Sequence, residues 1–194
     1  MFLLCCYAQE SMAANAKPYE DPEVLEFLNT PDGPILPKSV DEFANAHFES
    51  CIYNQTNLLG RDMAEIYCGC SAANIVRTMS LEDIHLTYQD NEQGKLQRDR
   101  LTVLGQAPCI GFPLEAIILD GCDKNTSLNN PKGTCKCLSK RMGNYVKIDG
   151  PRLIERALYE RPTEQIDPLL FIINNPSYGS RYKQNLRDCV SENE

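Results

Sequence analysis

The stretch HFESCIYNQTNLLGRDMAEIYCGC, residues 47–70, decides how this chain folds. Sixteen residues separate Cys51 from a Cys-x-Cys pair formed by Cys68 and Cys70, and the polar run Asn54-Gln55-Thr56-Asn57 lies among them. Apolar residues recur at helical spacing on both sides of the segment 53–60. They are Phe43, His47, Phe48 and Cys51 before it, and Met63, Ile66, Tyr67, Cys70 and Ala73 after it. The stretch therefore predicts a helical hairpin with a polar connection at 53–60.

The same arrangement returns in the second half of the chain. Twelve residues separate Cys122 from the pair Cys135-x-Cys137, and each half ends on a distant fourth cysteine, Cys109 or Cys189. We therefore predict an all-α fold, a disulfide-stapled helical bundle built from two similar four-cysteine helical-hairpin repeats. The repeats are residues 39–110 and residues 111–194, packed together as one compact unit.

Ten cysteines are far above ordinary usage for a chain of 194 residues. Oxidising compartments turn such cysteines into disulfides, whereas cytosolic proteins rarely keep so many. On a helix, residues i and i+2 lie about 200° apart around the axis, so the two members of a Cys-x-Cys pair should bond different neighbours. The predicted disulfides are Cys51–Cys68, Cys70–Cys109, Cys122–Cys135 and Cys137–Cys189. Exchanging the members of each Cys-x-Cys pair is the main alternative, because spacing alone does not fix connectivity.

Capping signals and prolines divide the rest of the chain. Ser39–Glu42 and Ser80–Asp83 both have the pattern of an N-terminal capping box. A polar turn is expected at 89–93, Pro108 should end the helix before it, and Pro151 should open a helix separate from the preceding one. The predicted helices cover about 61–79, 94–106, 112–121, 135–145, 151–159 and 180–190. Residues 169–173 fit a short strand, a helix or extended chain equally well.

The N-terminus indicates export. Residues 1–16 are interpreted as a signal peptide, since an apolar start is followed by the small-x-small site Ala14-Asn15-Ala16. The positive n-region and long apolar region of a complete signal peptide are missing, so a truncated signal peptide and a short buried helix both remain open. Cleavage would remove Cys5 and Cys6 and leave eight cysteines, an even number. Residues 17–38 carry five of the twelve prolines and are interpreted as a surface arm.

The segment 47–70 also resembles a pattern found in small exported bacterial proteins. In that pattern an aromatic residue shortly precedes a cysteine, and a polar gap leads to Tyr-Cys-x-Cys within a helix. Phe48, Cys51 and the run from Tyr67 to Cys70 carry the match. The second half matches less well, because Thr134 stands where the tyrosine would be. Those proteins have no agreed activity, so the resemblance implies an exported location and this fold alone.

A metal is the main rival explanation for the cysteines, because two Cys-x-Cys pairs offer four thiolates. Structural zinc sites usually space their cysteines by two to four residues, and a metal would leave the other four repeat cysteines unexplained. His47 and His85 are the available bases for nucleophilic catalysis, yet both lie among apolar neighbours, as core histidines do. No phosphate loop, nucleophile elbow, metalloprotease or dinucleotide fingerprint occurs. We therefore predict no catalytic residue, no metal and no cofactor.

Charge favours a protein partner. The formal net charge is −8, and acidic and basic residues are interspersed. Such a surface argues against nucleic acid, and no stretch approaches the ~20 apolar residues that span a bilayer. We expect a periplasmic or secreted protein that binds another protein, in concrete form an immunity or inhibitor protein acting on a secreted toxin or a cell-wall enzyme.

An inhibitor of this kind inserts polar loops into the cleft of its partner. The candidate contact residues in the two predicted loops are Asn54, Gln55, Asn57, Asp123, Lys124, Asn125, Asn129 and Asn130. An extracytoplasmic enzyme with a dispersed site and a purely structural envelope component are the alternatives. Replacement of either histidine would abolish activity only if the protein is an enzyme of this kind.

Overall fold

The computed structural model describes residues 35–124, 127–162 and 166–193. Every helix named in this section belongs to the compact unit that begins at Pro37. The predicted signal peptide lies outside the described residues, as does the predicted arm up to residue 34.

All regular elements in the described part of the chain are helices, which confirms the all-α class. The α-helices there are α1 Val40–Leu59, α2 Arg61–Thr78, α3 Leu81–Thr87, α4 Glu92–Arg100, α5 Gly111–Asp123, α6 Pro131–Glu160, α7 Pro168–Ile173 and α8 Pro176–Glu192. From α4 to α5 the chain continues as a π-helical turn, Leu101–Gln106, and a 3-10 turn, Ala107–Cys109. The ambiguous residues 169–173 are therefore helical.

The first hairpin corrects the prediction of a break beginning at Tyr53. Helix α1 continues through the polar residues to Leu59, and the connection to α2 is Gly60 alone. Gly60 has a φ of +73°, a backbone conformation that glycine adopts without steric cost, and its N–H donates to the carbonyl oxygen of Thr56 at 2.9 Å. Asn54 and Asn57 are exposed, so polarity here marks the outer side of a helix rather than its end.

Both capping signals are present in the first half. The Ser39 hydroxyl accepts the Glu42 N–H at 3.0 Å, and Glu42 in turn accepts the N–H of Lys38. At α3, Ser80 and Asp83 form the complete reciprocal box. Side chains thus satisfy N–H groups that have no partner within the helix.

Helix α4 starts at Glu92, two residues before the predicted Gly94.

Two prolines do not interrupt the helices as predicted. Pro108 lies within the 3-10 turn, and after Ile110 the chain enters α5. Pro151 lies inside α6, so the two helices predicted around it are one helix of 30 residues. Gly150 eases this continuity, because part of the clash that keeps the residue before a proline out of the α-conformation involves its Cβ, which glycine lacks.

The buried side chains form two clusters. The larger draws on both halves, with Tyr67 and Cys68 from α2 packed with residues of α5, α6 and α8. The smaller lies within the first half and consists of Ala44, Ile75, Met79 and Ile84. The second hairpin therefore lies in the main core, whereas the end of α2 is supported by a small separate cluster.

All four predicted disulfides are present, and the alternative that exchanged the members of each Cys-x-Cys pair is wrong. Their Cα–Cα distances are 5.5–5.8 Å, within the normal range for disulfides. In each half one bond closes the hairpin and the other ties its second helix to an element that comes later in the chain. The staples thus connect the helices in the predicted manner.

In the described part of the chain, no helix taken alone is long and apolar enough to cross a membrane. The pair Glu92–Cys109 and Gly111–Asp123, bent by 44° where they meet, passes the same test by length and composition only.

Candidate functional site

The eight described cysteines form disulfides that join helices and turns. Cys68, Cys109, Cys135 and Cys189 are fully buried, and each is bonded to a cysteine on another helix or turn. No thiol of the described residues is therefore free to act as a nucleophile. The same residues contain no group of three or more histidine, cysteine or acidic side chains placed to hold a metal ion.

The predicted contact residues of the second loop lie at the connection between α5 and α6. Asp123 is the last residue of α5, and the exposed Lys124 forms an ion pair with Asp120 at 2.7 Å. Asn130 caps α6, with its side-chain oxygen accepting the N–H of Gly133 at 3.1 Å. Asn129 is exposed beside it, and Asn125 lies outside the described residues. The side chains of Asp123, Lys124, Asn129 and Asn130 are exposed and line neither the polar cleft nor the apolar surface of this section.

The predicted residues of the first loop lie on α1, and two of them line a polar cleft. Asn54 and Gln55 face it, whereas the exposed Asn57 does not. The cleft has a volume of about 230 Å³ and is bounded by α1, α2, the π-helical turn and the start of α7. Its lining residues are His47, Ser50, Cys51, Asn54, Gln55, Tyr67, Gln106, Asp167 and Pro168.

Tyr67 is the most buried polar group of this cleft, with 3% of its surface exposed. Burial raises the pKa of its hydroxyl, and the negative charge of Asp167 raises it further, so the group stays protonated at physiological pH. No described residue forms a hydrogen bond with this hydroxyl. It is therefore a neutral donor and acceptor available to whatever enters the cleft.

Asp167 provides a fixed negative charge beside Tyr67. One carboxylate oxygen accepts the N–H of Leu170 at 2.9 Å and caps α7, while the other accepts the side-chain amide of Gln55 at 3.3 Å. Asp167 is the one charged acidic or basic residue among the described side chains that line the cleft. The helix cap and the bond to α1 hold it in place across a sequence separation of 112 residues.

His47 is held at one wall of the cleft. Its Nε2 lies 2.9 Å from the hydroxyl oxygen of Ser71, and burial lowers the pKa of the ring, which favours the neutral form. His85 lies elsewhere, where its Nε2 donates to the carbonyl oxygen of Pro37 at 2.8 Å. Both histidines thus have structural partners, as core histidines do.

The sequence analysis did not place the Tyr67 hydroxyl, Gln106 or Asp167 at this cleft. Tyr67 was counted as one member of an apolar helix face, which its ring is. Asp167-Pro168 carries the signal of a helix start, an N-cap residue followed by proline. Nothing in the sequence indicates that this cap lies against α1.

A second concave surface is apolar and larger. It has a volume of about 950 Å³ and lies between the α4 to π-turn segment and the C-terminal part of α6. Leu96, Leu104 and Tyr159 line it with exposed side chains. Charged groups at its edge include Lys95, which pairs with Asp99, and Arg100, which pairs with Asp83. No predicted contact residue lies there.

Comparison of the chain with protein-family models, with curated proteins and with solved structures found no match.

Proposed function

We propose that this chain is an exported or periplasmic binding protein of the immunity or inhibitor type, acting on a secreted toxin or a cell-wall enzyme. The observation that carries the proposal is the complete pairing of the eight described cysteines. Such bonds form and persist in oxidising compartments and are rare in the cytosol.

The rigidity that the disulfides give the helices supports a binding protein rather than an enzyme that changes conformation during its reaction. Each hairpin is closed by a disulfide, and each Cys-x-Cys helix is tied to a later element. A surface fixed in its bound shape loses little conformational entropy when a partner docks, which favours tight inhibition. The contact of His47 Nε2 with the buried hydroxyl of Ser71 at 2.9 Å fits a structural role for this histidine.

Charge supports a basic partner. The net charge of −8 would accelerate encounter with a positively charged surface and weaken encounter with an acidic one. The cleft end of α1, with Asn54 and Gln55, is the proposed centre of contact, and Asn129 and Asn130 form a second polar patch.

The test begins with the native protein, whose disulfides and mature N-terminus are mapped in one mass spectrum. Immobilised protein is then exposed to the periplasmic or secreted fraction of the same cells. We expect one partner to be retained at 1:1 stoichiometry and its hydrolytic or toxic activity to fall to zero at equivalence.

Two results would overturn the proposal. Reduced cysteines in the native protein would remove its basis. A catalytic activity of the isolated chain that disappears in His47→Gln, with the fold intact, would instead show an extracytoplasmic enzyme. His85→Gln is the matched control, since His85 lies outside the cleft.

A further inference from the structure

We propose that the polar cleft binds the cationic end of one arginine or lysine side chain presented by a protein partner. This inference rests on the proposed function and names the chemistry that its binding surface recognises. It concerns the cleft lined by Gln55, Tyr67 and Asp167, for which the sequence suggested no ligand.

Size limits what the cleft can hold. Its volume of about 230 Å³ lies below the roughly 300–1,000 Å³ of pockets that enclose drug-sized molecules. A guanidinium or ammonium group with part of its aliphatic stem fits a space of this size. Interfaces commonly concentrate their binding energy in such anchors, where a single side chain enters a pocket, and arginine is frequent among them.

Charge selects a cation. Asp167 supplies the negative charge of the lining, and His47, with its lowered pKa, adds no compensating positive charge at neutral pH. Arg161 lines a neighbouring cleft that also includes Asp167, but it does not line this one. An anion would therefore meet repulsion here, whereas a cation would gain a charge-assisted hydrogen bond.

Hydrogen-bond capacity completes the match. A guanidinium carries five N–H donors and no acceptor, so its site must supply oxygen atoms. The Asp167 carboxylate, the Tyr67 hydroxyl and the side-chain amides of Gln55 and Gln106 provide them around one space. Tyr67 is only 3% exposed as a residue, and its hydroxyl, which reaches the cleft, has no hydrogen bond to a described residue, so a ligand would give it a partner within the protein interface.

The experiment titrates the intact protein with L-arginine amide and follows binding by calorimetry and NMR. L-citrulline amide is the matched probe, since it has nearly the same shape but a neutral urea in place of the guanidinium. We expect arginine amide to bind with a Kd on the order of 1 mM, as suits one anchoring group. Citrulline amide should bind at least about tenfold more weakly, because it lacks the charge-assisted bond.

Three variants localise the effect. Asp167→Asn keeps a good helix cap for α7 but removes the charge, and should weaken arginine amide binding about tenfold or more. Asp120→Asn makes the same change of net charge on the exposed surface of α5 and should leave the Kd within about twofold. Tyr67→Phe should weaken binding about fivefold without lowering the melting temperature, since the lost hydroxyl has no described partner.

Equal binding of the two amides would overturn the inference, as would an unchanged Kd in Asp167→Asn. Partner capture tests the proposed inhibitor function independently of arginine amide binding. Capture of a partner that Asp167→Asn does not weaken would overturn the cationic anchor and leave the inhibitor proposal standing. Charge-dependent binding of arginine amide, with no partner captured, would support the cleft while the inhibitor proposal fails.

Discussion

The two hairpins share a cysteine pattern and differ in what they enclose. The α1–α2 hairpin turns on one glycine and buries polar groups, among them Ser71 and Asn74. The α5–α6 hairpin has a longer connection and also buries two polar side chains, Thr134 and Ser139, but among many more apolar ones such as Leu114, Leu138 and Met142. The same kind of staple thus lies beside a polar cleft in the first hairpin and within a larger apolar core in the second.

Asn74 shows how the first half accommodates its polar interior. Its side-chain N–H group donates to the carbonyl oxygen of Gly105 at 3.2 Å and lies 3.2 Å from the sulfur of Cys109, while its oxygen accepts from Arg77. No fully buried side-chain nitrogen or oxygen of the described residues lacks a hydrogen bond. Buried polarity at this density contributes less net stability than apolar packing, so the first half should depend more on its covalent links.

The largest effect should come from removing the long-range disulfide of either half. The bonds Cys70–Cys109 and Cys137–Cys189 span 39 and 52 residues. Loop-closure entropy predicts losses of about 3.9 and 4.1 kcal/mol in the paired Cys→Ala variants, which is nearly the same value. Urea unfolding measures both. A cost for the first-half bond that exceeds the second by more than about 1 kcal/mol would show that packing, and not loop length, separates the halves.

Core truncation should distinguish the two clusters. Leu138→Ala, in the larger cluster, should lower the free energy of unfolding by about 3–4 kcal/mol. Ile84→Ala, in the smaller cluster, should cost about 2 kcal/mol, because a site with few buried neighbours relaxes more easily. Both side chains are fully buried, so burial does not bias the comparison. Equal costs in urea unfolding would contradict the assignment of two unequal cores.

Acid should destabilise the protein through His47, which lies in the first half. Unfolded His47 takes up a proton near pH 6.5, while burial holds its pKa lower in the folded protein. Its contribution is therefore complete above pH 6.5 and is lost as the pH falls towards the folded value. The slope from one such group is at most about 1.4 kcal/mol per pH unit.

Unfolding curves at pH 7.5, 6.5 and 5.5 test this dependence. The difference between the wild-type protein and His47→Gln isolates the histidine from the titrating carboxylates. A constant difference across this range would exclude His47 as the source of acid sensitivity.

The smallest effect should come from the helix caps. Ser80→Ala removes the reciprocal capping box of α3 and should cost about 1–2 kcal/mol. Asn130→Ala removes one cap bond at α6 and should cost about 1 kcal/mol or less. Thermal unfolding of the two variants compares them, and a larger loss for Asn130→Ala would reverse the predicted order.

The helical class could be predicted from spacing, and spacing also narrowed the disulfides to two pairings per half, between which the structure decides. Helical geometry places Cys68 and Cys70 on nearly opposite sides of α2, and the chain then offers each one a different nearby partner. The start of α3 could be predicted for a similar reason. The hydrogen bonds of its capping box join Ser80 and Asp83, which are only three residues apart.

The rest depends on tertiary context. The polar run after Tyr53 was interpreted as a loop, although it is the exposed end of a helix that packs on α2. Pro151 was given its usual role as a helix start, which the adjacent Gly150 overrides. The cleft required Asp167 to lie against Gln55, a contact between distant residues that no local pattern encodes.

The order of the disulfides along the chain bears on how they form during folding. Along the described chain, each bond joins a cysteine to the next one that follows it. A polypeptide threaded N-terminus first through a translocation channel therefore presents every correct partner before any wrong one further along. Rearrangement of mispaired thiols takes seconds to hours and is often the slow step of oxidative folding. If the chain is exported in this way, the order of emergence equals the order of bonding, and we expect oxidative refolding to reach the native pairing without a disulfide isomerase.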